Sequence, residues 1–357
     1  MNFPEFKIGD LILPTPVIQG GMGVGISLSS LASAVANEGG IGVISAAMPG
    51  IGEPDIGQNG DQANIRFLQN EIRKAKQLTK GVLGVNIMVA LTNFSDMVRT
   101  SIEEEIDIIF AGAGLPLGLP GYLTEGSKTK LVPIVSSGRA ATLLCKKWLL
   151  KHDYLPDGFV VEGPMAGGHL GFKASQLDDP NFSLENLVED TIEAVKPFEE
   201  EKKAKIPIIA AGGIFTGQDI RKFLNLGAAA VQLGTRFVAT DECDAEAGFK
   251  QTYIEASEED LVVIKSPLGL PGRVIRNRFI EQVFEGKKMP INCPYHCLKT
   301  CDPEKSPYCI AIALAKARKG KFRYGFAFAG SNAFRVTEII PVKQLMETLQ
   351  TEFSIAS

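Results

Sequence analysis

Eight short apolar runs recur along the chain, and most of them are separated by segments long enough to form a helix. The runs lie near residues 15, 41, 82, 106, 131, 157, 206 and 229. They lack a strict alternation of apolar and polar residues, which is typical of parallel strands buried on both faces. Because such strands alternate with helices, the pattern predicts right-handed crossovers. Eight repeats indicate the α/β class and a closed (β/α)8 TIM barrel, with a doubly wound sheet as the alternative.

Helix signals between the strands agree with this scheme. The segment SLSSLASAVANEGG, residues 27–40, predicts a helix that is capped by serines and ends at its two glycines. A second helix is predicted between Thr216 and Gly227. The Gly/Pro-rich stretch at residues 49–61 follows the second strand. We interpret it as either a lid over an active site or a plain solvated loop.

Chain length and charge pattern suggest three regions. Residues 1–240 are predicted to form the barrel, and residues 241–324 a helical subdomain with a cysteine cluster, inserted after the last barrel strand. Residues 325–357 are predicted to return to the barrel and pack an amphipathic helix, PVKQLMETLQTEF, against it. A chain of 357 residues is long enough for a barrel with such an addition.

Composition narrows the classes of partner and compartment. The formal net charge is −4, and Lys and Arg are scattered among Asp and Glu, so neither nucleic acid nor a membrane is expected to bind. No apolar stretch approaches the roughly 20 residues that cross a bilayer. The start MNFPEFKIGD lacks the order of a secretory signal, and we expect a cytoplasmic protein. In that compartment the six cysteines are expected to be thiols or ligands rather than disulfides.

Glycines follow the last two predicted strands. Gly212 and Gly213 come after the seventh strand, and Gly234 comes after the eighth. In TIM barrels these two loops, with a helix N-terminus nearby, often hold a phosphate through backbone N–H groups. The alternative is that the glycines only permit tight turns. Two glycine clusters at this pair of strands favour phosphate binding.

Bare backbone at the end of the first strand suggests a flat ligand. Gly20 and Gly21 lie there, without the spacing of a dinucleotide fingerprint, and the chain has no P-loop. Asn86 adds an amide that can both donate and accept hydrogen bonds; the alternative is a buried amide that satisfies backbone groups. A phosphate on one side and a flat heterocycle on the other point to flavin mononucleotide, FMN.

Five motifs in this order resemble the nitronate monooxygenase family, formerly called 2-nitropropane dioxygenases. They are VIQGGMGVGIS, GVNIM, VVEGPMAGGHLG, PIIAAGGI and AAAVQLGTRF, between about residues 14 and 239. The same group of barrels includes flavin-dependent enoyl-acyl-carrier-protein reductases. The resemblance implies an FMN-bearing barrel with His169 as its catalytic residue. Together with the glycine loops it gives the predicted cofactor-binding residues Gly20, Gly21, Met22, Asn86, Glu162, Gly167, Gly168, Gly212, Gly213, Gln232, Gly234 and Thr235.

His169 follows two permissive glycines at the end of the sixth strand, so its side chain is expected at the barrel mouth beside the flavin. An ordinary histidine pKa near 6.5 lets it donate or accept a proton at neutral pH. It could remove the α proton of a nitroalkane, orient a nitronate, or polarise or protonate an enoyl thioester. The alternative is a histidine that caps a loop. Glu162 is expected to hold a ribityl hydroxyl or a backbone amide.

Three functions remain open at this point. The preferred one is an FMN-dependent oxidoreductase that oxidises alkyl nitronates with dioxygen. The second is an NAD(P)H-dependent reductase of an enoyl thioester or another activated alkene. The third is a barrel without turnover that binds a flavin or a partner. The expected partners are small molecules, and a homo-oligomer is compatible with the sequence.

Four cysteines and a histidine gather near the end of the chain. Cys293, Cys297 and Cys301 are spaced by four, Cys309 follows after eight, and His296 lies among them. They could bind zinc or an iron–sulfur cluster, although the usual C-x2-C spacing is absent. On a helix, three of the cysteines would instead form one buried apolar stripe, and redox or disulfide roles are a third alternative. Packing is favoured, and no metal site is predicted.

Overall fold

Thirteen strands and eleven α-helices are present in the computed structural model, which describes residues 3–289 and 293–355. The strands are β1 (Phe6–Ile8), β2 (Leu11–Leu13), β3 (Val17–Gln19), β4 (Gly42–Ser45), β5 (Leu83–Met88), β6 (Ile108–Gly112), β7 (Lys130–Val135), β8 (Phe159–Glu162), β9 (Gly168–His169), β10 (Ile208–Ala211), β11 (Ala230–Leu233), β12 (Leu261–Lys265) and β13 (Pro271–Ile275).

Eight of these strands form one parallel sheet in the order β3-β11-β10-β8-β7-β6-β5-β4. The two outer strands meet through a bridge between Ile18 and Ile41, which closes the sheet into a barrel. All eight predicted strands are therefore confirmed, and so is the (β/α)8 class. Parallel pairing brings the carboxyl ends of the eight strands to one rim, where loops from the whole chain meet.

The helices are α1 (Ser29–Asn37), α2 (Gly60–Leu78), α3 (Phe94–Glu103), α4 (Gly138–His152), α5 (Leu184–Lys202), α6 (Gly217–Asn225), α7 (Thr235–Val238), α8 (Ala247–Glu255), α9 (Arg278–Phe284), α10 (Ile310–Arg318) and α11 (Val342–Ile355). The last of them packs against α6 and α1. It fills the place in the outer ring that the helix after the eighth strand would occupy. None of the described helices is long and apolar enough to cross a membrane.

The barrel interior is filled by side chains, and one end is covered by the hairpin that β1 and β2 form. Phe6, Ile8 and Leu13 from this hairpin belong to the same buried cluster as inward residues of the barrel, such as Phe110 and Ile209. A second and larger cluster lies between the barrel and its helices. The interior of the barrel and the end covered by this hairpin are thus filled by side chains. The carboxyl ends of the strands, at the opposite end, remain as the place for a ligand.

The N-terminus of α1 corrects one sequence expectation. The residue at the cap position is Leu28, and no serine side chain caps the helix. The carboxylate of Asp244 accepts hydrogen bonds from the backbone N–H groups of Leu28, Ser30 and Leu31 instead. A carboxylate can satisfy several free N–H groups at once, and it arrives here from a position over 200 residues away. The predicted cap at Thr216 is confirmed as a capping box with Asp219.

The segment at 241–324 is not purely helical. It contains α8, α9 and α10, but also an antiparallel hairpin of β12 and β13 that the sequence reasoning missed. One edge of β13 pairs with β9, which belongs to the loop after β8. This pairing joins residues about a hundred positions apart, so the local pattern gives no sign of it. The domain boundaries at 240 and 324 stay predictions.

Candidate active site

The floor of the candidate site is formed where β3 meets its neighbours. A Cβ atom placed on Gly21 would lie 2.3 Å from the Cβ of Asn86, and one on Gly20 would lie 3.3 Å from Nε2 of Gln232. The contact at Gly21 is too close for a larger residue, whereas the one at Gly20 is tight and would require the Gln232 side chain to shift by a few tenths of an ångström. The structure thereby brings four of the predicted residues together at the rim: Gly20, Gly21, Asn86 and Gln232.

Gln19 fixes this floor and was missed by the sequence reasoning. Its side chain is fully buried, its Nε2 donates to the carbonyl oxygen of Gly20, and its Oε1 accepts from the N–H of Val43 at 2.9 Å. Next to it, the N–H of Met22 donates to Oγ of Ser27 at 2.8 Å. A buried glutamine inside a strand is unusual in an otherwise apolar run, and this polarity was the signal available in the sequence.

The predicted phosphate loops lie side by side after β10 and β11. Gly212 and Gly213 have φ of +96° and +87°, which favours glycine. The Nδ2 of Asn332 donates to the carbonyl oxygen of Gly213 at 2.6 Å, and the N–H of Gly330 donates to Oγ1 of Thr235 at 3.1 Å. In residues 3–289 and 293–355, neither the N–H of Gly213 nor that of Gly234 has a hydrogen-bond partner. The return segment near residue 330 thus completes this side of the site.

The helix that follows the first of these loops does not offer its N-terminus to an anion. The N–H groups of Phe215 and Thr216 donate to Oδ2 of Asp219, and that of Gly217 donates to Oε2 of Glu352 at 2.7 Å. Two carboxylates therefore occupy the start of α6. The sequence expectation of a helix N-terminus in the phosphate cradle is wrong for α6, because side chains already satisfy its free N–H groups.

His169 is the second residue of β9, and it pairs with Gly272 of β13. Its ring centroid lies 5.0 Å from that of Phe328. Its Nε2 atom is buried and has no hydrogen-bond partner among the described residues. Burial lowers the pKa of His169 from 6.5 to about 4. This value is below the ordinary one expected from the sequence. Because burial disfavours the charged form, the imidazole is neutral at pH 7, so it can donate or accept a hydrogen bond but holds no second proton to release.

Arg273 holds the histidine loop and was also missed. This buried arginine of β13 donates from Nη1 to the carbonyl oxygens of Pro164 and Ala166, at 2.6 and 2.9 Å. Burial lowers the pKa of its guanidinium. The two predicted glycines of the loop differ: a Cβ on Gly167 would lie 2.5 Å from the carbonyl carbon of Ala329, whereas one on Gly168 would meet no atom within 4 Å. Open space beside Gly168 leaves room for a ligand.

Glu162 is the last residue of β8, at the same rim. Burial raises the pKa of its carboxyl to about 7. Within the described part of the chain, no donor binds this carboxyl group. The rim therefore holds two titratable groups without polar partners, Glu162 and His169, whose pKa values burial moves in opposite directions. A ligand with polar atoms would satisfy groups of this kind.

The cysteines lie in an irregular segment rather than on a helix. Residues 293–309 form bends and turns, and α10 begins only at Ile310, so the helical stripe on which the packing interpretation depended is absent. Burial and the neighbouring Cys309 and Cys293 thiols raise the pKa of Cys297 to about 12. No group of three or more His, Cys, Asp or Glu side chains in the described ranges is arranged to hold a single metal ion.

Comparison with known proteins decides the family. Residues 5–352 match the family model described as nitronate monooxygenase. The chain belongs to the nitronate monooxygenase family. A probable nitronate monooxygenase of Staphylococcus aureus is 26% identical over 314 residues, covering 77% of this chain and 80% of that protein. The family is one of oxidoreductases, so the chain is an enzyme, and the alternative of a barrel without turnover is set aside.

Two further proteins are similar over most of the chain. The protein FabK of Thermotoga maritima is 30% identical, with a TM-score of 0.72 over 96% of this chain and 93% of that chain. The 5-hydroxy-7a-methyl-1-oxo-octahydro-1H-indene-4-carboxyl-CoA dehydrogenase of Mycobacterium tuberculosis is 28% identical over 273 residues, which is 76% of this chain and 66% of that protein. The family resemblance read from the motifs is thus confirmed.

Proposed function

We propose that this member of the nitronate monooxygenase family is an FMN-dependent oxidoreductase that oxidises alkyl nitronates with dioxygen as the second substrate. The observation that carries the choice is the neutral imidazole of His169, whose Nε2 is buried and unpartnered. A nitronate is already an anion and needs no proton from the enzyme. In an enoyl reductase the same residue would have to protonate the α carbon. A neutral imidazole is poorly suited to this step because it is a much weaker acid than the charged form.

The residues at the rim fit FMN. The proposed phosphate ligands are the free N–H groups of Gly213 and Gly234. The bare backbone of Gly20 and Gly21 would lie along the flat ring. The proposed contacts to its polar edges are the side chains of Asn86 and Gln232, together with the backbone of Met22 and Thr235. Glu162, partly buried and without a polar partner, would bind a hydroxyl of the ribityl chain.

When bound, FMN supplies the electron-transfer chemistry, and the protein supplies binding and orientation. His169 would donate a hydrogen bond to a nitronate oxygen when its neutral ring carries the proton on Nε2. In the other neutral form, Nε2 would accept the α proton of a nitroalkane. Phe328 packs against the ring, and the pairing of β9 with Gly272 sets the position of the histidine backbone. Phe328 and β13 therefore hold the side chain of His169 at the open end of the barrel.

A second candidate is an NAD(P)H-dependent reductase of an enoyl thioester. The observation in its favour is the relative of Mycobacterium tuberculosis, whose name states that it acts on a CoA thioester. In this reaction His169 would polarise the thioester carbonyl through a hydrogen bond rather than donate its proton. The barrel rim, the cofactor and the histidine would be the same, so only the substrates differ.

The cofactor is tested by denaturing the purified protein and separating the released flavin. FMN without FAD is the expected result, with about one flavin per chain. Release of FAD, or no flavin after incubation of the folded protein with FMN, would contradict the cofactor assignment.

The two reactions are separated by anaerobic mixing of the flavin-loaded protein with one substrate at a time. Bleaching of the flavin by propyl nitronate, with recovery of the colour on admitting dioxygen, supports the proposed oxidation. Rapid bleaching by NADH or NADPH without any response to the nitronate would support the thioester reductase instead.

A further inference from the structure

Four cysteines converge on one cavity outside the rim of the barrel. The cavity has a volume of about 230 Å³, and Cys293, Cys297, Cys301 and Cys309 all line it. The remaining two cysteines, at positions 145 and 243, are buried elsewhere in the molecule. Cys297, Cys301 and Cys309 also lie beside buried apolar side chains, yet all four thiols border the same space, which packing alone does not require.

The size of the space decides which ligand class fits. A single zinc ion binds its thiolates at about 2.3 Å, which would draw the four sulfur atoms into one tight tetrahedron. No such group is present in the described ranges, and the cavity has room for several atoms. Iron–sulfur clusters are also held by four cysteine thiolates, but they are polyatomic and hold the sulfur atoms farther apart.

A polar group in the cavity wall also lacks a partner. Tyr308 lines the cavity, is 2% exposed, and packs edge-on against Phe279 with ring centroids 5.2 Å apart. Its hydroxyl is buried and has no hydrogen-bond partner among the described residues. A buried hydroxyl without a partner destabilises the fold, so its presence calls for a ligand atom that accepts a hydrogen bond. Sulfide and thiolate sulfur atoms are such acceptors.

The backbone around the cavity is held firmly to the barrel. The N–H of Thr92 donates to the carbonyl oxygen of Cys297 at 3.1 Å, and the N–H of Lys299 donates to that of Ala90 at 2.9 Å. Cys309 occupies the cap position directly before the nine-residue α10, where the helix dipole favours a negatively charged ligand. The two hydrogen bonds thus fix the segment around Cys297 to the loop after β5, and the start of α10 fixes Cys309.

From the four thiols, the width of the cavity and the unpartnered tyrosine, we propose that Cys293, Cys297, Cys301 and Cys309 bind an iron–sulfur cluster. Each thiol gives up its proton and forms one bond to iron, and the hydroxyl of Tyr308 donates to a sulfur atom. The site is separate from the proposed flavin site. It lies next to the loop that follows β5, the strand that carries Asn86, and Lys299 donates from Nζ to the carbonyl oxygen of Val89 in this loop at 2.7 Å.

The test is anaerobic reconstitution of the full chain with a mixture of ferric and ferrous iron and sulfide, followed by removal of unbound metal. We expect iron and acid-labile sulfide in equal amounts, at about two to four of each per chain, and a brown protein. Serine replacements of Cys297 and Cys301 should each abolish the bound iron. Serine replacements of the buried Cys145 and Cys243 serve as matched controls and should keep it.

Three results would overturn the proposal: no bound iron in the reconstituted wild-type chain, zinc bound in preference with no uptake of iron and sulfide, or iron retained by both Cys297→Ser and Cys301→Ser. Flavin content and melting temperature are measured in parallel on each variant. A variant that fails to fold is replaced by the corresponding alanine. Because the readout is iron and sulfide, the outcome is independent of the reaction proposed above.

Discussion

Nη1 of Arg273 donates a hydrogen bond of 2.6 Å to the carbonyl oxygen of Pro164, which lies 109 positions earlier in the chain. The same nitrogen reaches the carbonyl oxygen of Ala166 at 2.9 Å. Through this contact the hairpin of β12 and β13 holds the loop that leads into His169. The part of the chain that follows the barrel therefore determines the position of the proposed catalytic residue.

Replacing Arg273 with Met should loosen this loop while keeping its apolar bulk. Loss of two hydrogen bonds from a buried charged group should lower the free energy of unfolding by about 2 to 4 kcal/mol. Turnover per bound flavin should fall more than substrate affinity, because the histidine is displaced. Arg276→Met is the control, since that side chain is half exposed and lies 3.8 Å from Glu281. Equal effects of the two substitutions on denaturation and on kcat would show that Arg273 does not position the loop.

Replacing His169 with Asn should remove the proton acceptor and keep a hydrogen-bonding group. We expect kcat for neutral nitroalkanes to fall by roughly 100-fold to 10,000-fold with flavin still bound. Oxidation of preformed nitronates should survive in part, because they need no proton removal. His152→Asn, an exposed change at the end of α4, is the control. Falling flavin content and melting temperature with unchanged activity per flavin would instead mark His169 as structural.

Replacing Glu162 with Gln should stabilise the flavin-free protein at neutral pH. The pKa of the carboxyl is raised from 4.5 to about 7 in the fold, so the folded state holds its proton more tightly than the unfolded state. Stability from this group is complete below pH 4.5 and is lost as the pH rises to 7, by roughly 2 kcal/mol after allowing for partial contact with solvent. In urea unfolding, the variant should not lose stability between pH 4.5 and 7. The exposed control Glu189→Gln should show the same loss as the wild type.

The contribution of His169 to stability changes with pH in the opposite direction to that of Glu162. Each residue is therefore replaced on its own. Its pKa is lowered from 6.5 to about 4, and the stability linked to its neutral form is lost as the pH falls through that range. Between pH 4.5 and 6.5 the contributions of Glu162 and His169 offset each other in the wild-type protein. A Glu162→Gln variant whose unfolding free energy runs parallel to that of the wild type from pH 4.5 to 7 would contradict the burial of this carboxyl.

Two glycine substitutions separate packing from cofactor binding. A Cβ on Gly234 would lie 3.6 Å from Sδ of Met22, an ordinary contact, so Gly234→Ala should fold normally and bind FMN more weakly. A Cβ on Gly21 would lie 2.3 Å from the Cβ of Asn86, and Gly21→Ala should lose about 1 to 3 kcal/mol of stability as well. Isothermal titration with FMN and thermal denaturation measure the two effects. Undiminished FMN affinity of Gly234→Ala would remove Gly234 from the proposed phosphate site.

The sequence by itself determined the barrel, its eight strands, the cap at Thr216 and the C-terminal helix. These features depend on short-range patterns, since a strand buried on both faces needs an apolar run and a helix start needs a capping side chain within a few residues. The motifs also located the glycines at the strand ends, because parallel strands in a barrel end at one rim. His169, predicted at the end of the sixth strand, lies instead in β9, seven residues beyond β8, and Asn86 lies within β5.

Only the tertiary structure decided what surrounds those residues. The cap of α1 by Asp244, the anchor from Arg273 and the hairpin over His169 each join residues far apart in the chain, and a local pattern carries no record of such pairings. The low pKa of His169 depends on burial by these distant segments, because charge is disfavoured only where water is excluded. The same holds for the four cysteines, whose spacing suggested a helix but whose irregular backbone places them around one cavity.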